Sequence, residues 1–382
     1  MMKLAVVSLM TGVSWGGSEE LWAAAAREAS ARGLAVEAYL PAWPSVPAKV
    51  ADLVKLGVRV AYWKRPDPGL AARIANRVWT STNLVKQVQR SDADALLVSL
   101  GSAFDLAGYP KLCDALRASR RPFVLVVQHN TETPLPGWVK ERVEGLYERA
   151  ACVAFVSDRN RRSAERQLAR PIPNAVVLQN PVNLASLEAV PWPDGSPRAP
   201  REVGLMACVA RLEVAAKGQD VLFEALADPV WKTRDWRLAL FGEGPDRDDL
   251  ERLARMYGIA DRVTFAGQAR DMREVWASQQ LLVLPSRSEG TPLALVEAQI
   301  AGRPAVVTDV GDSASWVAEG FVAEAATAAS FGRALERAWE RRGDWKSMGT
   351  RAHETTMRRV DRNPGATLLA KLLSACGFAV GP

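Results

Sequence analysis

The sequence predicts an α/β protein made of two doubly wound domains in tandem. Short β-branched apolar runs alternate with longer amphipathic stretches along nearly the whole chain. The runs are apolar almost without interruption, the pattern of parallel strands covered on both faces. Between residues 184 and 202 the alternation stops, in a segment holding Pro191, Pro193, Pro197 and Pro200 around Asp194-Gly195-Ser196, and then restarts. A length of 382 residues also suits two cores better than one. The expected division is therefore 1–183, a linker over 184–202, and 203–361, with a closing helix at about 362–382.

In the first domain the expected strands are Leu4–Leu9, Ala35–Leu40, Ala95–Leu100, Phe123–Gln128, Val153–Val156 and Ala175–Leu178. Helices are expected between them at Glu19–Ala31, Leu70–Gln89, Trp138–Arg149 and Arg159–Ala169. In the second domain strands are expected at Val203–Ala207, Leu238–Phe241, Val263–Phe265, Leu281–Leu284 and Ala305–Thr308, with helices at Gln219–Leu226, Arg247–Tyr257 and Pro292–Ala301. Helical stretches at Ala325–Arg342, Asp344–Arg359 and Pro364–Ala375 close the chain. Two such domains imply a cleft between them at the carboxyl ends of both sheets.

Composition narrows the function classes. A hydrophobic content of 48% with 24% charged residues belongs to a globular chain, and no apolar run reaches the ~18–20 residues of a membrane span. Lys3 followed by Leu4–Met10, without a small-residue cleavage pattern, reads as a first buried strand and not a signal peptide. Cys113, Cys152, Cys208 and Cys376 lack metal-ligand spacing and read as buried thiols in a reducing compartment. The net charge is +6, and residues 1–182 carry the positive excess, with 24 Lys and Arg against 16 Asp and Glu. The densest patches are Arg117–Arg120–Arg121 and Arg159–Arg161–Arg162–Arg166–Arg170. Such a surface suits an anionic acceptor or lipid headgroups, or else is a solvated helix face. The aromatic-flanked signatures of RNA binding are missing, so nucleic acid is not an expected partner.

Residues 284–304, LPSRSEGTPLALVEAQIAGRP, hold the densest chemistry. Thr291 is placed to cap a helix, Pro292 suits its first position, and Gly302 with Pro304 stops it. Glu289 then lies in the loop feeding the helix, and Glu297 lies at the edge of its buried Leu293–Val296–Ile300 stripe. A carboxylate there needs hydrogen-bond donors, which the hydroxyls of a ribose supply. The free amides of Leu293 and Ala294 suit an anion such as a diphosphate. Arg211 and Lys217 follow the second domain's first strand in VARLEVAAKGQD, where two cations suit the same diphosphate. Gly16 and Gly17 open the first long helix, where they either let backbone amides approach a phosphate or sugar or are turn glycines alone. His129 ends a strand in QHN, where it can bond a sugar hydroxyl or a leaving phosphate, or else is a satisfied loop histidine. His353 lies in a polar helix and is assigned nothing. Asp92-Ala93-Asp94 has metal-binding spacing but reads as a helix-to-strand turn. Gly242-Glu243-Gly244 lacks the third glycine of a dinucleotide site. No metal site is expected.

Together these residues resemble the retaining glycosyltransferases of family 4. The matching pieces are GGSE (16–19), QHN (128–130), FVSD (155–158), NPVN (180–183), ARL…KG (210–218), FGEGP (241–245), FAGQ (265–268) and SRSEGTPLALVEA (286–298). The resemblance implies the GT-B fold, two Rossmann-like domains facing across an interdomain cleft, with the closing helix packed back on the first. It also implies roles. Arg211 and Lys217, with amides around Gly290, Thr291, Pro292 and Leu293, would hold the diphosphate of a nucleotide sugar such as a UDP- or GDP-hexose. Glu297 would bind the ribose, Gly242 and Gln268 would flank the base, and Gly16 and Gly17 would close over the phosphates. Glu289 and His129 would contact the donor sugar. Ala210 stands where that family has Gly, and EVAA replaces its polar loop.

The implied activity is metal-independent transfer of a hexose, without a cofactor and with retention of configuration, through an oxocarbenium-like transition state and a front-face route. The expected acceptor is a glycan or lipid-linked glycan, and the alternatives are a small secondary metabolite or silent sugar-nucleotide binding. The expected location is the cytoplasm, with peripheral contact at the inner membrane face through the basic first domain. Trp15 and Trp138 offer further faces for stacking on a sugar.

Overall fold

The computed structural model describes residues 2–10, 12, 14–64, 83–193 and 203–379. The chain divides into two units, Met1–Pro181 together with Asp361–Pro382, and Val182–Val360.

In the first unit seven parallel strands form one sheet: β1 (Lys3–Ser8), β2 (Ala35–Pro41), β3 (Arg59–Trp63), β4 (Ala95–Ser102), β5 (Phe123–His129), β6 (Cys152–Phe155) and β7 (Ala175–Val177). Their order is β3-β2-β1-β4-β5-β6-β7, so the winding reverses between β1 and β4. Alternate residues feed opposite faces, as strand pleating requires. Ala5, Val7, Val98 and Leu125 enter one core with Leu112, Leu116 and Phe155. Leu4, Val6, Leu97 and Val124 enter the other with Leu21, Trp22 and Leu368. The closing helix Pro364–Ala375 packs in that second core through Leu368, Leu369, Leu372 and Leu373, and Asn363 bonds Glu28 at 3.0 Å.

The second unit repeats the scheme with β8 (Gly204–Val209), β9 (Trp236–Phe241), β10 (Val263–Gly267), β11 (Leu281–Leu284), β12 (Ala305–Thr308) and β13 (Gly320–Ala323). The order β10-β9-β8-β11-β12-β13 is again fully parallel and reverses between β8 and β11. At such a reversal the flanking loops diverge and leave room for a ligand at the carboxyl ends of the strands.

The structure departs from the sequence reading in several places. Both unpredicted strands, β3 and β13, are edge strands. Edge strands face fewer packing partners and carry a weaker apolar signal, RVAYW and GFVA. The helix expected over Trp138–Arg149 is two pieces, Gly137–Val143 and Leu146–Arg149, because Gly145 turns left-handed at φ 72°. Residues 83–90 of the helix expected at Leu70–Gln89 are helical, and residues 70–82 lie outside the described residues. Of the expected linker, residues 184–193 pack on the second unit. Val190 is buried there, its amide donates to Ala301 O at 3.1 Å, and Arg303 donates to Val190 O and Pro191 O at 3.2 and 2.7 Å. Residues 194–202 lie outside the described residues. Asp94 accepts from the Lys3 amide at 2.8 Å and Asp92 pairs with the Lys3 side chain, so this DxD pins the amino ends of β1 and β4 together.

Candidate functional site

The second unit gathers its chemistry at the carboxyl edge of its sheet, around the β8–β11 reversal. The chain after β8 turns through Arg211 into a short helix, Val214–Lys217, which ends where Gly218 adopts φ 62°. Gly218 has no room for a side chain: a Cβ would lie 2.2 Å from Pro285 O, in the loop after β11. The two loops are thereby packed backbone to backbone. Further bonds hold them, from the Arg287 and Ser288 amides to Ala216 O at 2.9 and 3.2 Å. Arg287 also grips Asp220 with both terminal nitrogens, at 2.6 and 2.7 Å.

This packing delivers Lys217 to Glu289. Its Nζ lies 2.7 Å from Oε1, and the Ser286 hydroxyl donates to the same oxygen at 2.7 Å. Arg211 lies nearby in the chain, its guanidinium 3.0 Å from Glu213 Oε2. A third loop, after β9, supports Arg211 from the other side. Gly242, at φ 149°, would place a Cβ only 2.0 Å from Ala210 O, and the Leu212 amide donates to Glu243 O at 3.0 Å. Asp246 caps the Val214 amide at 2.7 Å. Gln219 is fully buried. Its amide nitrogen holds Arg211 O at 2.7 Å, while among the described residues its enclosed Oε1 meets no hydrogen-bond donor.

The helix after this loop runs Leu293–Ile300, one residue later than the sequence suggests. Pro292 takes the cap position in place of Thr291, and no side chain caps the helix. Its first-turn amides therefore lack a side-chain acceptor. Gly290 is buried, and its carbonyl accepts from the Asp312 amide at 2.9 Å, fixing the loop from the β12 side. Glu297 is 3% exposed, and its Oε1 accepts the Asn183 amide at 2.8 Å. The donors expected from a ligand are thus met in part from within. Gln268 stands exposed just past β10, whose last residue accepts from the Gly242 amide at 2.8 Å. Arg211, Lys217, Gly242, Gln268, Glu289, Gly290, Thr291, Pro292, Leu293 and Glu297 therefore share one sheet edge of one unit.

The remaining candidates belong to the first unit, at the carboxyl edge of its own sheet. Gly16 caps the helix Gly17–Ala31, and His129 ends β5 half-buried, its carbonyl accepting from Ala103 N at 3.0 Å. Glu19 is buried between Ser8 Oγ and Trp22 Nε1, at 2.7 and 2.8 Å, and burial pushes its pKa up to about 7. Trp15 tilts against Trp22 with ring centroids 5.7 Å apart and donates to Glu20, so packing claims part of it, while Trp138 stands 48% exposed. His353 Nδ1 lies 2.5 Å from Ile300 O, a bond that ties two helices together.

The basic patch is internally compensated. Arg159 pairs with Glu132, Arg161 with Asp158 and Glu165, Arg162 with Asp158, and Arg170 with Glu144 and Glu148. Arg166 reaches Glu132 at 4.0 Å, and Arg121 is spent on the carbonyls of Ser91 and Val88. Runs of like charge in the sequence thus become mixed-sign networks once the fold brings carboxylates alongside. Among the described residues no helix is long and apolar enough to cross a membrane.

Sequence reasoning passed over Ser286, Glu213, Asp220, Arg287 and Gln219. Each acts through a partner distant in sequence or on a loop of no fixed pattern. Ser286 and Arg287, inside the SRSEG stretch, were the ones with a visible signal.

Residues 204–341 match the family model described as group 1 glycosyl transferases. Over 305 residues, 74% of each chain, the sequence is 26% identical to a GDP-mannose-dependent phosphatidylinositol monomannoside mannosyltransferase of Mycolicibacterium smegmatis. It is 27% identical to the 2-deoxystreptamine glucosyltransferase of Streptomyces kanamyceticus, over 77% of this chain and 82% of the other. Against several other curated relatives the match spans less than half of the relative's length. In fold the chain is similar to Anabaena HepE, solved in complex with UDP-glucose, with a TM-score of 0.74 at 19% identity over 98% of this chain and all of the other. The GT-B architecture of two Rossmann-like domains is thereby shared.

Proposed function

We propose that this chain, whose residues 204–341 match the group 1 glycosyl transferases, is a hexosyltransferase of family 4 that uses a nucleoside-diphosphate sugar and retains anomeric configuration. The observation that carries the reading is the Lys217–Glu289 pair, which joins the loops after β8 and β11 at the winding reversal of the second sheet. A cation and a carboxylate are there held side by side, next to Arg211 and to uncapped helix amides. A diphosphate entering this edge would draw Lys217 and Arg211 from their carboxylates and receive the Leu293 and Ala294 amides. Glu297 would take the ribose, and the base would lie along Gly242 and Gln268.

In the reaction the bond from the anomeric carbon to the diphosphate oxygen breaks, and a bond to the acceptor oxygen forms on the same face. The acceptor's proton passes to the departing phosphate oxygen. Arg211, Lys217 and the helix amides stabilise the charge that grows on the leaving group. Glu289, once released by Lys217, faces the donor sugar near the reacting carbon. No metal or cofactor takes part. The cytoplasm, where nucleotide sugars are made, is the proposed location, with a glycan or lipid-linked glycan as acceptor. The self-paired arginines of the first unit favour a second reading for the acceptor, a small soluble molecule, as in the Streptomyces kanamyceticus relative.

A thermal-shift panel of nucleoside diphosphates and their hexoses tests the proposal. The matching nucleotide at 100 times its dissociation constant adds roughly 2.7 kcal/mol to the second unit. Glu297→Ala removes the preference for ribo- over deoxyribonucleotides. Lys217→Ala lowers transfer by about 100-fold or more while the chain still folds. A panel with no stabilising nucleotide sinks the reading.

A further inference from the structure

At the winding reversal of the first sheet, between β1 and β4, lies a cavity of about 300 Å³ lined by Leu9, Met10, Gly12, Gly101, Asp105 and Tyr109. That volume is at the lower end of the range for small-molecule sites, ~300–1,000 Å³. Its lining joins the apolar side chains of Leu9 and Met10 to two polar groups, the Tyr109 hydroxyl and the Asp105 carboxylate. Asp105 follows β4 and turns back over it, held from below by the amides of Ser102, at 2.7 Å from Oδ2, and Gly101. Among the described residues Asp105 forms no ion pair, although the same unit holds the chain's excess of Lys and Arg. Burial raises its pKa to about 6. Gly101 is the floor of this arrangement. A methyl there would meet Met10 Sδ at 2.8 Å and Asp105 Oδ2 at 3.0 Å.

We propose that this cavity is the acceptor subsite and that Asp105 anchors the acceptor through a hydrogen-bond donor, a hydroxyl or an ammonium group, and excludes a phosphate. The inference rests on the glycosyl-transfer reading above and names the class of acceptor that reading leaves open. A carboxylate fixed by two amides keeps acceptor capacity directed at the cavity, and among the described residues no cation neutralises it. A neutral or cationic ring satisfies it, with the ring's C–H faces against Leu9, Met10 and Tyr109. An anionic group would meet like charge in a desolvated space, which costs more than at the surface. The acceptor is thereby a polyol or amino sugar at the point of contact, in contrast to the anionic acceptor suggested by the charge of the first half.

The test is calorimetric titration of the full chain with methyl glucoside, methyl glucosaminide and glucose phosphate, each with and without saturating UDP or GDP. The expected order is glucosaminide tightest, glucoside weaker, and glucose phosphate unbound. Asp105→Asn can keep its carbonyl oxygen on the two amides and turn its NH2 to the cavity. It should weaken the glucosaminide by about tenfold or more and admit the phosphate. Gly101→Ala, which crowds the carboxylate without removing its charge, should weaken both sugars and gives a second route if the first variant folds poorly. Equal or tighter binding of glucose phosphate by the unaltered chain, no binding of any probe, or an unchanged profile in Asp105→Asn overturns the proposal. The nucleotide response of the same samples separates the two claims. A nucleotide shift without the sugar pattern removes only the acceptor assignment, whereas no nucleotide shift at all removes the glycosyl-transfer reading.

Discussion

Glu19 shows how a single side chain couples this fold to pH. Its carboxylate is buried with only Ser8 and Trp22 as donors, so the charged form is disfavoured and the pKa rises from 4.5 to about 7. The folded chain then holds this proton more tightly than the unfolded chain. The stability it contributes is complete below about pH 4.5 and is lost as pH climbs to about 7, a span on the order of 3 kcal/mol. Glu19→Gln should flatten that slope in a series of thermal melts against pH, whatever it does to absolute stability. An unchanged slope would mean the carboxyl is not buried in its neutral form. Arg303 is the opposite case, a cation 1% exposed whose guanidinium lies 5.0 Å from the Trp192 ring centroid and donates to the carbonyls of Trp276, Gln279, Val190, Pro191, Ala301 and Gly302. Burial lowers its pKa to about 10 and leaves it charged at neutral pH. Arg303→Leu strands these carbonyls and should cost more than about 3 kcal/mol in chemical denaturation.

At the scale of elements, the donor edge depends on loops that touch backbone to backbone. Gly242 is the sharpest instance, since φ 149° and a carbonyl 2.0 Å from the missing Cβ both exclude a side chain. Gly242→Ala should separate the loops after β8 and β9, lowering stability by a few kcal/mol and nucleotide affinity with it. A thermal shift with nucleotide equal to that of the parent chain would contradict the role given to this loop pair. The elements also explain which parts of the site were legible. Glu289 and Glu297 could be found because one loop and one helix carry both in a fixed local frame. Glu213 and Asp220 could not, because their partners, Arg211 and Arg287, meet them only where the chain's own turns bring them together.

At the scale of the whole molecule, the second core of the first unit is completed by a helix from the far end of the chain. Leu368, Leu369, Leu372 and Leu373 are each at most 3% exposed, against Leu21, Trp22, Ala25 and Ala26. Burying each contributes roughly 1.5–3 kcal/mol, a sum comparable to the net stability of a domain. A chain ending at Val360 should therefore lose the unfolding transition of the first unit and keep that of the second. Differential scanning calorimetry would show one transition in place of two, and two intact transitions would refute the dependence.

The parallel α/β architecture, the order of eleven of the strands and the place of the Arg211–Lys217 and Glu289–Glu297 segments were set by apolar periodicity and turn chemistry, which act over a few residues and so can be read along the chain. The edge strands β3 and β13, the pairing of Lys217 with Glu289, the neutralised arginine patch and the lone carboxylate at Asp105 were decided by tertiary structure. Lys217 and Glu289 lie 72 residues apart, Arg159 and Arg170 find carboxylates 22 to 27 residues away, and a charge takes its meaning from what is folded against it.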